Sequence, residues 1–200
     1  MTLNNGELFF IGDAYFVEDQ RPDVERLKPD FPNAYRGGWG YMLLTNTLPH
    51  QGNGTFKLLA KAESVYGDVM NLGEALIHGD NANAVKPFGA IDSPRPGETV
   101  SGDYRIIGWA LTPPPCKIPE NGSTIQVFVD REFIGNAQYN LPRDDVKNLF
   151  PNHLNSAGSM AIFDLDTRMF ENGLHQLEWS VRDNAGNLDG IGSRYFRILN

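Results

Sequence analysis

Oxygen-bearing side chains are concentrated in the segment DNAGNLDG near the C-terminus, where Asp183, Asn184, Asn187 and Asp189 surround Gly186. Ca²⁺ takes about six to eight oxygen ligands, so four side chains and neighbouring carbonyls could hold this ion. The alternative is a turn between two strands, in which Asp and Asn side chains bond to their own backbone and the glycine takes a positive φ. We interpret the segment chiefly as a turn and keep a weak calcium site as a metal hypothesis.

A group of aromatic residues, Tyr35, Trp39 and Tyr41, lies in the segment YRGGWGYMLL. The glycines between them leave ring faces accessible, and flat aromatic surfaces suit stacking against sugar rings or a protein partner. The structural alternative is that these rings pack on a sheet edge, because large aromatic side chains dominate buried surface. A glycan-binding or protein-binding surface at these three residues is therefore the alternative functional hypothesis.

Acidic and histidine residues do not form a catalytic pattern. Asp164 and Asp166 share one face of a predicted strand, and a pair of carboxylates is the pattern that glycoside hydrolysis needs. Asp166, however, opens a turn. No nucleophile elbow, phosphate loop or zinc-protease helix is present. We predict a protein that is not an enzyme and that has no cofactor apart from the calcium hypothesis. Histidines lack paired metal-ligand spacing; they are His50, His78, His153 and His175.

The composition excludes several partners. A net charge of -8 and the lack of any run of Lys or Arg argue against nucleic acid and anionic membrane surfaces. No apolar run approaches the roughly 18 residues of a spanning helix, and the first residues lack the pattern of a signal peptide. Cys116 is the single cysteine, so an intrachain disulfide is ruled out.

Alternating apolar and polar residues predict strands. Leu177, Trp179 and Val181 alternate with polar residues, the period of two that a half-buried strand shows, and the segment STIQVFVD follows the same rule. A short helix is predicted over 143–149, where acidic residues open the first turn. Further strands are predicted over 104–111, 133–138, 159–165 and 193–199. The predicted core contains Trp109, Trp179, Leu177, Val127, Val129 and Phe196.

An internal repeat organises the chain. LFFIGDA (8–14) matches REFIGNA (131–137), and RPDVERLKPDFPN matches RDDVKNLFPN with three residues inserted. From the shared FPN onward we align the two copies at a constant offset of 119 residues, which pairs Gly67 with Gly186. Two related modules are therefore predicted. At the positions of the DNAGNLDG oxygens the first copy has Ser64, Val65, Asp68 and Met70, so the copies share a turn and not a ligand set.

The predicted module boundary divides the chain into 1–84 and 85–200. The second module has room for about seven strands with frequent turn signals, the profile of an antiparallel sandwich. The first module has only seven residues before LFFIGDA. We expect it to lack its opening strands, either because the chain is a fragment or because another segment or chain fills the gap. We therefore predict that the chain self-associates in solution through this incomplete module.

The second module resembles a known family. IDSPRPGETVSG, RIIGWAL, VFVDREFIGNA and DNAGN, taken in this order, are similar to bacterial immunoglobulin-like modules, which are themselves similar to fibronectin type III domains. The resemblance implies tandem antiparallel sandwiches with a structural, adhesive or spacer role in an exported or cell-surface protein, hence an extracellular location. The alternative is a carbohydrate-binding accessory module that uses Tyr35, Trp39 and Tyr41. The expected partners are accordingly protein or glycan surfaces.

Overall fold

The computed structural model describes residues 8–17 and 20–200 and is mostly β-structure in several sheets. None of the helices in these ranges is long and apolar enough to cross a lipid bilayer. The two α-helices are Pro22–Leu27 (α1) and Asp144–Leu149 (α2). The strands are Tyr15–Val17 (β1), Gly38–Gly40 (β2), Gly54–Glu63 (β3), Val69–Gly79 (β4), Phe88–Ser93 (β5), Thr99–Val100 (β6), Asp103–Leu111 (β7), Ile125–Val129 (β8), Glu132–Asn136 (β9), Gln138–Leu141 (β10), Met160–Asp166 (β11), Gly173–Arg182 (β12) and Leu188–Ile198 (β13).

The C-terminal part of the chain forms two sheets. One has the strand order β10-β11-β7-β5, and the other has the order β6-β13-β12-β8-β9. All strand pairs within these sheets are antiparallel except β6 with β13, which run parallel. The all-β prediction is confirmed at this level, and the predicted helix over 143–149 is present as α2. The last strand begins five residues earlier than predicted, at Leu188.

Inward-facing side chains of both sheets make one core. Leu177 and Trp179 of β12 are at most 1% exposed, and they pack with residues of β7, β8, β11 and β13. Alternate residues point to this core because successive side chains of a strand lie on opposite faces. The six predicted core residues are all buried: Trp109, Trp179, Leu177, Val127, Val129 and Phe196. Trp109 lies outside this core and packs against Phe88 and Phe150.

The chain forms two compact units. One contains residues 8–14 and 43–84, and the other contains 15–17, 20–42 and 85–200. One change of unit falls after Ala84, and the segment that ends at Met42 is grouped with residues 85–200. The division into an incomplete module 1–84 and a complete module 85–200 stays a prediction.

The register of the strands supports the internal repeat in detail. In the hairpin β3-β4, Ala60 pairs with Gly73 and a bulge follows Ala60. In β12-β13, Trp179 pairs with Gly192 and a bulge follows Trp179. These positions differ by 119 residues, as the sequence alignment predicts. The ribbon β1-β2 likewise has the register of β10-β11, since Tyr15 pairs with Gly40 and Gln138 pairs with Ile162.

The predicted position of the three-residue insertion is wrong. The residues that precede the 3-10 turns, Asn33 and Asn155, both have left-handed backbone angles and are 122 residues apart. The offset of 122 continues to the 3-10 turns Thr45–Thr47 and Thr167–Met169, so the extra residues lie just after them. The shared letters FPN misplaced the insertion, because the equivalent positions of the two copies are those with the same turn geometry and not those with the same letters. The inserted loop has positive φ at His50, Gln51 and Gly52.

The hairpin β3-β4 belongs to the other unit and is mostly exposed. Phe56 and Leu48 form its small core, with Ile11, Leu43 and Ile77 packed around them. Beyond Phe56 the side chains of β3 are half-buried or exposed, and in the described chain this hairpin is a sheet of two strands. Its exposed large side chains are Val65, Tyr66, Val69, Met70, Leu72 and Leu76.

Candidate functional site

The DNAGNLDG segment forms the turn between β12 and β13. Asp183 is 3% exposed, and its Oδ1 accepts hydrogen bonds from the backbone amides of Ala185 and Asn187, both at 2.9 Å. Its Oδ2 accepts hydrogen bonds from Thr112 Oγ1 and Asn187 Nδ2, also at 2.9 Å. Burial alone would raise the pKa of Asp183, but the hydrogen bonds from Asn187, Thr112 and the two amides together lower it below the ordinary value. The carboxylate is charged and stabilises its own loop.

The other predicted calcium ligands have structural partners of their own. Asn184 Oδ1 accepts a hydrogen bond from the Lys117 amide at 2.9 Å. Asp189 Oδ1 accepts from the amide of Gly190, and its Oδ2 lies 3.5 Å from Lys86 Nζ. The described part of the chain has no group of three or more His, Cys, Asp or Glu side chains arranged to hold a metal ion. Calcium binding at Asp183, Asn184, Asn187 and Asp189 stays a prediction for titration.

The remaining titratable candidates take part in ion pairs or packing. Asp164 pairs with Arg105 across the β11-β7 ladder at 2.7 Å, and this hydrogen bond lowers the pKa of Asp164. The Arg168 guanidinium lies 2.6 Å from Asp166 and likewise lowers the pKa of that carboxyl. Both acids are therefore charged, which differs from the protonated acid that glycoside hydrolysis uses.

His175 is a satisfied histidine at the rim of the core. Its side chain is 11% exposed, with Nδ1 at 2.6 Å from Asp130 Oδ2 and Nε2 at 2.8 Å from the Glu171 carbonyl. The ring also lies against Phe170 and Phe196. Both ring nitrogens of His175 are therefore used in contacts within the sandwich, as expected of a structural residue.

The predicted aromatic residues lie around the ribbon β1-β2. Trp39 is in β2 and is 49% exposed, while Tyr35 and Tyr41 are 39% and 38% exposed. Trp39 lines an open cleft of about 430 Å³, together with Val17, Gln20, Arg21, Gly37, Gly38 and Tyr195. Tyr35 and Tyr41 do not line this cleft, so the structure brings only one of the three predicted rings into it.

Sequence reasoning missed two residues of the cleft that carry chemistry. Tyr195 lies in β13, more than 150 residues beyond Trp39, and no local pattern relates the two. Arg21 precedes α1 and forms a two-pronged ion pair with Asp23, with Nε at 2.9 Å and Nη2 at 2.8 Å from the carboxylate oxygens. The spacing of Arg21 and Asp23 repeats in Arg143 and Asp145, which was the available signal. The cleft therefore combines aromatic, cationic and amide groups.

Comparisons with known proteins find similarity among solved structures. No protein-family model matches the chain, and no curated protein sequence matches it significantly. Among solved structures, the endo-β-1,4-mannanase from Thermotoga petrophila is 12% identical with a TM-score of 0.40, over 61% of this chain and 22% of that one. Fibronectin(III)-like modules of CbhA from Clostridium thermocellum are 16% identical with a TM-score of 0.35, over 74% of this chain and 62% of that one.

A third structure, CopC from Methylosinus trichosporium OB3b, is 11% identical with a TM-score of 0.32, over 55% of this chain and 92% of that one. This chain spans less than two thirds of the length of the mannanase and of the fibronectin(III)-like modules. Likenesses at TM-scores of 0.40 or lower assign neither an activity nor a ligand to this chain.

Proposed function

We propose that this protein is a non-catalytic structural module that acts as a spacer or adhesive unit within an exported protein. The observation that supports this function is the path of the chain through the sandwich. Lys86, just before β5, lies 3.5 Å from Asp189 at the start of β13. Asn200, just after β13, bonds to Gly102 and Asn172 at the far end of that strand. The eleven residues of β13 separate the two ends by about 35 Å.

This path suits a module that carries tension. The parallel pairing of β6 with β13 places backbone hydrogen bonds between the start and the end of the sandwich. Among their donors are the amides of Gly97, Arg197 and Leu199, at 2.7, 2.8 and 3.1 Å from their acceptors. When the ends are pulled apart, these bonds are loaded together, because the two strands slide past each other instead of peeling open. A spacer needs this resistance along its long axis.

The test is single-molecule unfolding of the full chain. One handle is attached at Val85→Cys and the other to a tag after Asn200, with Cys116→Ser to remove the competing thiol. The matched control moves the first handle to Glu171→Cys, beside the open end of the β12-β13 hairpin, so that hydrogen bonds break one after another. We expect a clearly higher unfolding force for the first geometry at the same loading rate. Equal forces, or a lower force, contradict a load-bearing role.

A second candidate function is carbohydrate binding, which the cleft favours. Trp39 and Tyr195 offer ring surfaces for a sugar, while Arg21 and Gln20 offer hydrogen-bond donors beside them. A glycan array followed by calorimetry tests this function. We expect Trp39→Ala to abolish binding and Tyr66→Ala to preserve it, since Tyr66 is an aromatic residue, 90% exposed in the β3-β4 turn, that does not line the cleft. A wild-type chain that binds no glycan removes this candidate.

A further inference from the structure

The ribbon β1-β2 has a counterpart in the sandwich that shows what can lie along its open side. The counterpart, β10-β11, shares the register of its first pair before a bulge, and α2 follows β10 as α1 follows β1. β11 pairs with β10 along one edge and with β7 along the other, where Ala161 is opposite Gly108. The residue of β2 that corresponds to Ala161 is Trp39. In the sandwich, the edge of β11 that faces away from β10 is therefore covered by another strand.

The arginines of the two ribbons have one difference in their partners. Arg143 binds Asp145 through Nε and Nη2, and its Nη1 lies 2.5 Å from Asp92 of β5. Arg21 binds Asp23 through the same two nitrogen atoms. Within the described chain, Asp23 is the acidic partner of Arg21, and the Arg21 side chain remains 53% exposed. Among the described residues, no second carboxylate occupies at Arg21 the position that Asp92 occupies at Arg143.

The cleft lies beside this ribbon and is lined from both of its strands. Arg21, Gly38 and Trp39 line it, and in the described strands β2 pairs with β1 alone. The exposed backbone edge of a strand pairs readily with an added strand, because its unpaired N–H and C=O groups remain oriented outward. An arginine fork that already holds one carboxylate still has an outward Nη1 for a second. Backbone edge and cation together match an extended acidic peptide.

We propose that the cleft binds a hairpin segment of a partner polypeptide, whose inner strand pairs with β2 as β7 pairs with β11 and whose outer strand places a carboxylate on Arg21 as β5 places Asp92 on Arg143. The occupant is a two-stranded peptide with an Asp or Glu in its outer strand, and the template for its chemistry is this chain's own β5-β7 segment. Such a segment offers main-chain hydrogen bonds to β2 and a charge partner to Arg21, whereas a sugar would leave the backbone edge of β2 unpaired. This site goes beyond the spacer function and is independent of it.

The test uses the full chain and a fluorescent synthetic peptide with the sequence of residues 88–111. Fluorescence anisotropy measures its affinity for the wild-type chain, for Arg21→Gln and for the matched control Arg26→Gln, at an exposed arginine of the helix α1 that follows Arg21. We expect binding to weaken about tenfold or more in Arg21→Gln and to stay unchanged in Arg26→Gln. A peptide with Asp92→Asn should lose affinity for the wild-type chain and show no further loss with Arg21→Gln.

Two other results overturn the proposal. The first is a peptide that does not bind up to about 1 mM, or that binds Arg21→Gln as well as the wild type. The second is an affinity that falls in Arg143→Gln and not in Arg21→Gln, which means that the peptide replaces strands of the sandwich. Arg21→Lys keeps the positive charge but loses the two-pronged guanidinium, and it serves as the second variant if Arg21→Gln does not fold. If an oligosaccharide binds through Trp39 and the peptide does not, the cleft is a glycan site.

Discussion

Ser64 and Asp183 perform the same structural task in two hairpin turns of different composition. Ser64 Oγ accepts hydrogen bonds from the amides of Tyr66 and Asp68, both at 3.2 Å. Asp183 Oδ1 accepts from the amides two and four residues onward in the same way, and Gly67 and Gly186 have φ of 85° and 89°. A hydroxyl can replace the carboxylate in this role, so the common requirement is an acceptor for turn amides.

The Asp183 carboxylate should therefore make a large contribution to stability. Asp183→Ala leaves Thr112 and two loop amides without their acceptor in a buried position, and we expect it to lower the free energy of unfolding by about 2–4 kcal/mol. Urea denaturation of the full chain measures this change. Asp189→Ala is the matched control, because its partner Lys86 is 3.5 Å away and exposed, and we expect a loss of less than about 1 kcal/mol. Equal losses in the two variants contradict the assignment.

Calcium should leave the protein's stability unchanged. The side-chain oxygens of Asp183 and Asn184 already accept hydrogen bonds from the backbone, and binding an ion would require these bonds to break. We expect the same melting temperature with millimolar calcium and with chelator. Calorimetric titration of wild type and Asp189→Ala provides the second measurement. A rise in melting temperature that is absent from Asp189→Ala would establish the calcium hypothesis instead.

His153 should make the sandwich sensitive to mild acid. Its ring is half-buried between Phe88 and Phe150, and burial lowers its pKa below 6.5. The unfolded chain then binds more protons than the folded chain, so stability falls as the pH drops below the unfolded value of about 6.5. We expect His153→Phe to flatten the stability profile between pH 7 and 5. Phe31 occupies the corresponding position of the repeat.

Urea denaturation at several pH values gives this profile. The His78→Phe variant is the control, since His78 lies on the exposed strand β4. If wild type and His153→Phe lose stability in parallel below pH 6.5, another group is responsible.

Gly52 should be less tolerant of a side chain than Gly67, although both have positive φ. A Cβ at Gly52 would collide with the Thr45 carbonyl and the Asn81 side chain, whereas a Cβ at Gly67 meets no atom within 4 Å. Gly67→Ala should cost about 1 kcal/mol from backbone strain alone, and Gly52→Ala about 3 kcal/mol or more. Amide hydrogen exchange across β3 and β4 measures both. Similar exchange rates in the two variants would show that small shifts of the neighbouring atoms relieve the contact at Gly52 with little loss of stability.

The β3-β4 hairpin should mediate self-association. Val69, Met70 and Leu76 are 62–72% exposed on β4, and exposed apolar groups of this kind are typical of docking surfaces. We expect the average mass from light scattering to rise with concentration, and Leu76→Lys to weaken the association about tenfold. Leu149→Lys, at an exposed leucine of α2, is the control and should associate as the wild type does. A monomer at every concentration contradicts this prediction.

Local patterns in the sequence predicted the strands and core of the sandwich because each inward residue follows a period of two. Leu177 and Trp179 are examples, and α2 was predicted from its acidic first turn. The cleft could not be predicted, since it depends on Tyr195 reaching a ribbon far away in sequence. Arg21 was overlooked for a related reason. Its ion pair with Asp23 is local, but the difference between Arg21 and Arg143 in their acidic partners is seen only when the two arginines are compared in the structure.

The three tryptophans of the chain differ sharply in access to solvent. Trp109 and Trp179 are 5% and 1% exposed, whereas Trp39 is 49% exposed. A small ionic quencher such as iodide collides only with indole rings that water reaches, so the accessible part of the emission originates from Trp39. The protein therefore contains its own optical reporter. Protection of this emission from iodide would register the arrival of any occupant in the cleft, without a label and before its chemistry is known.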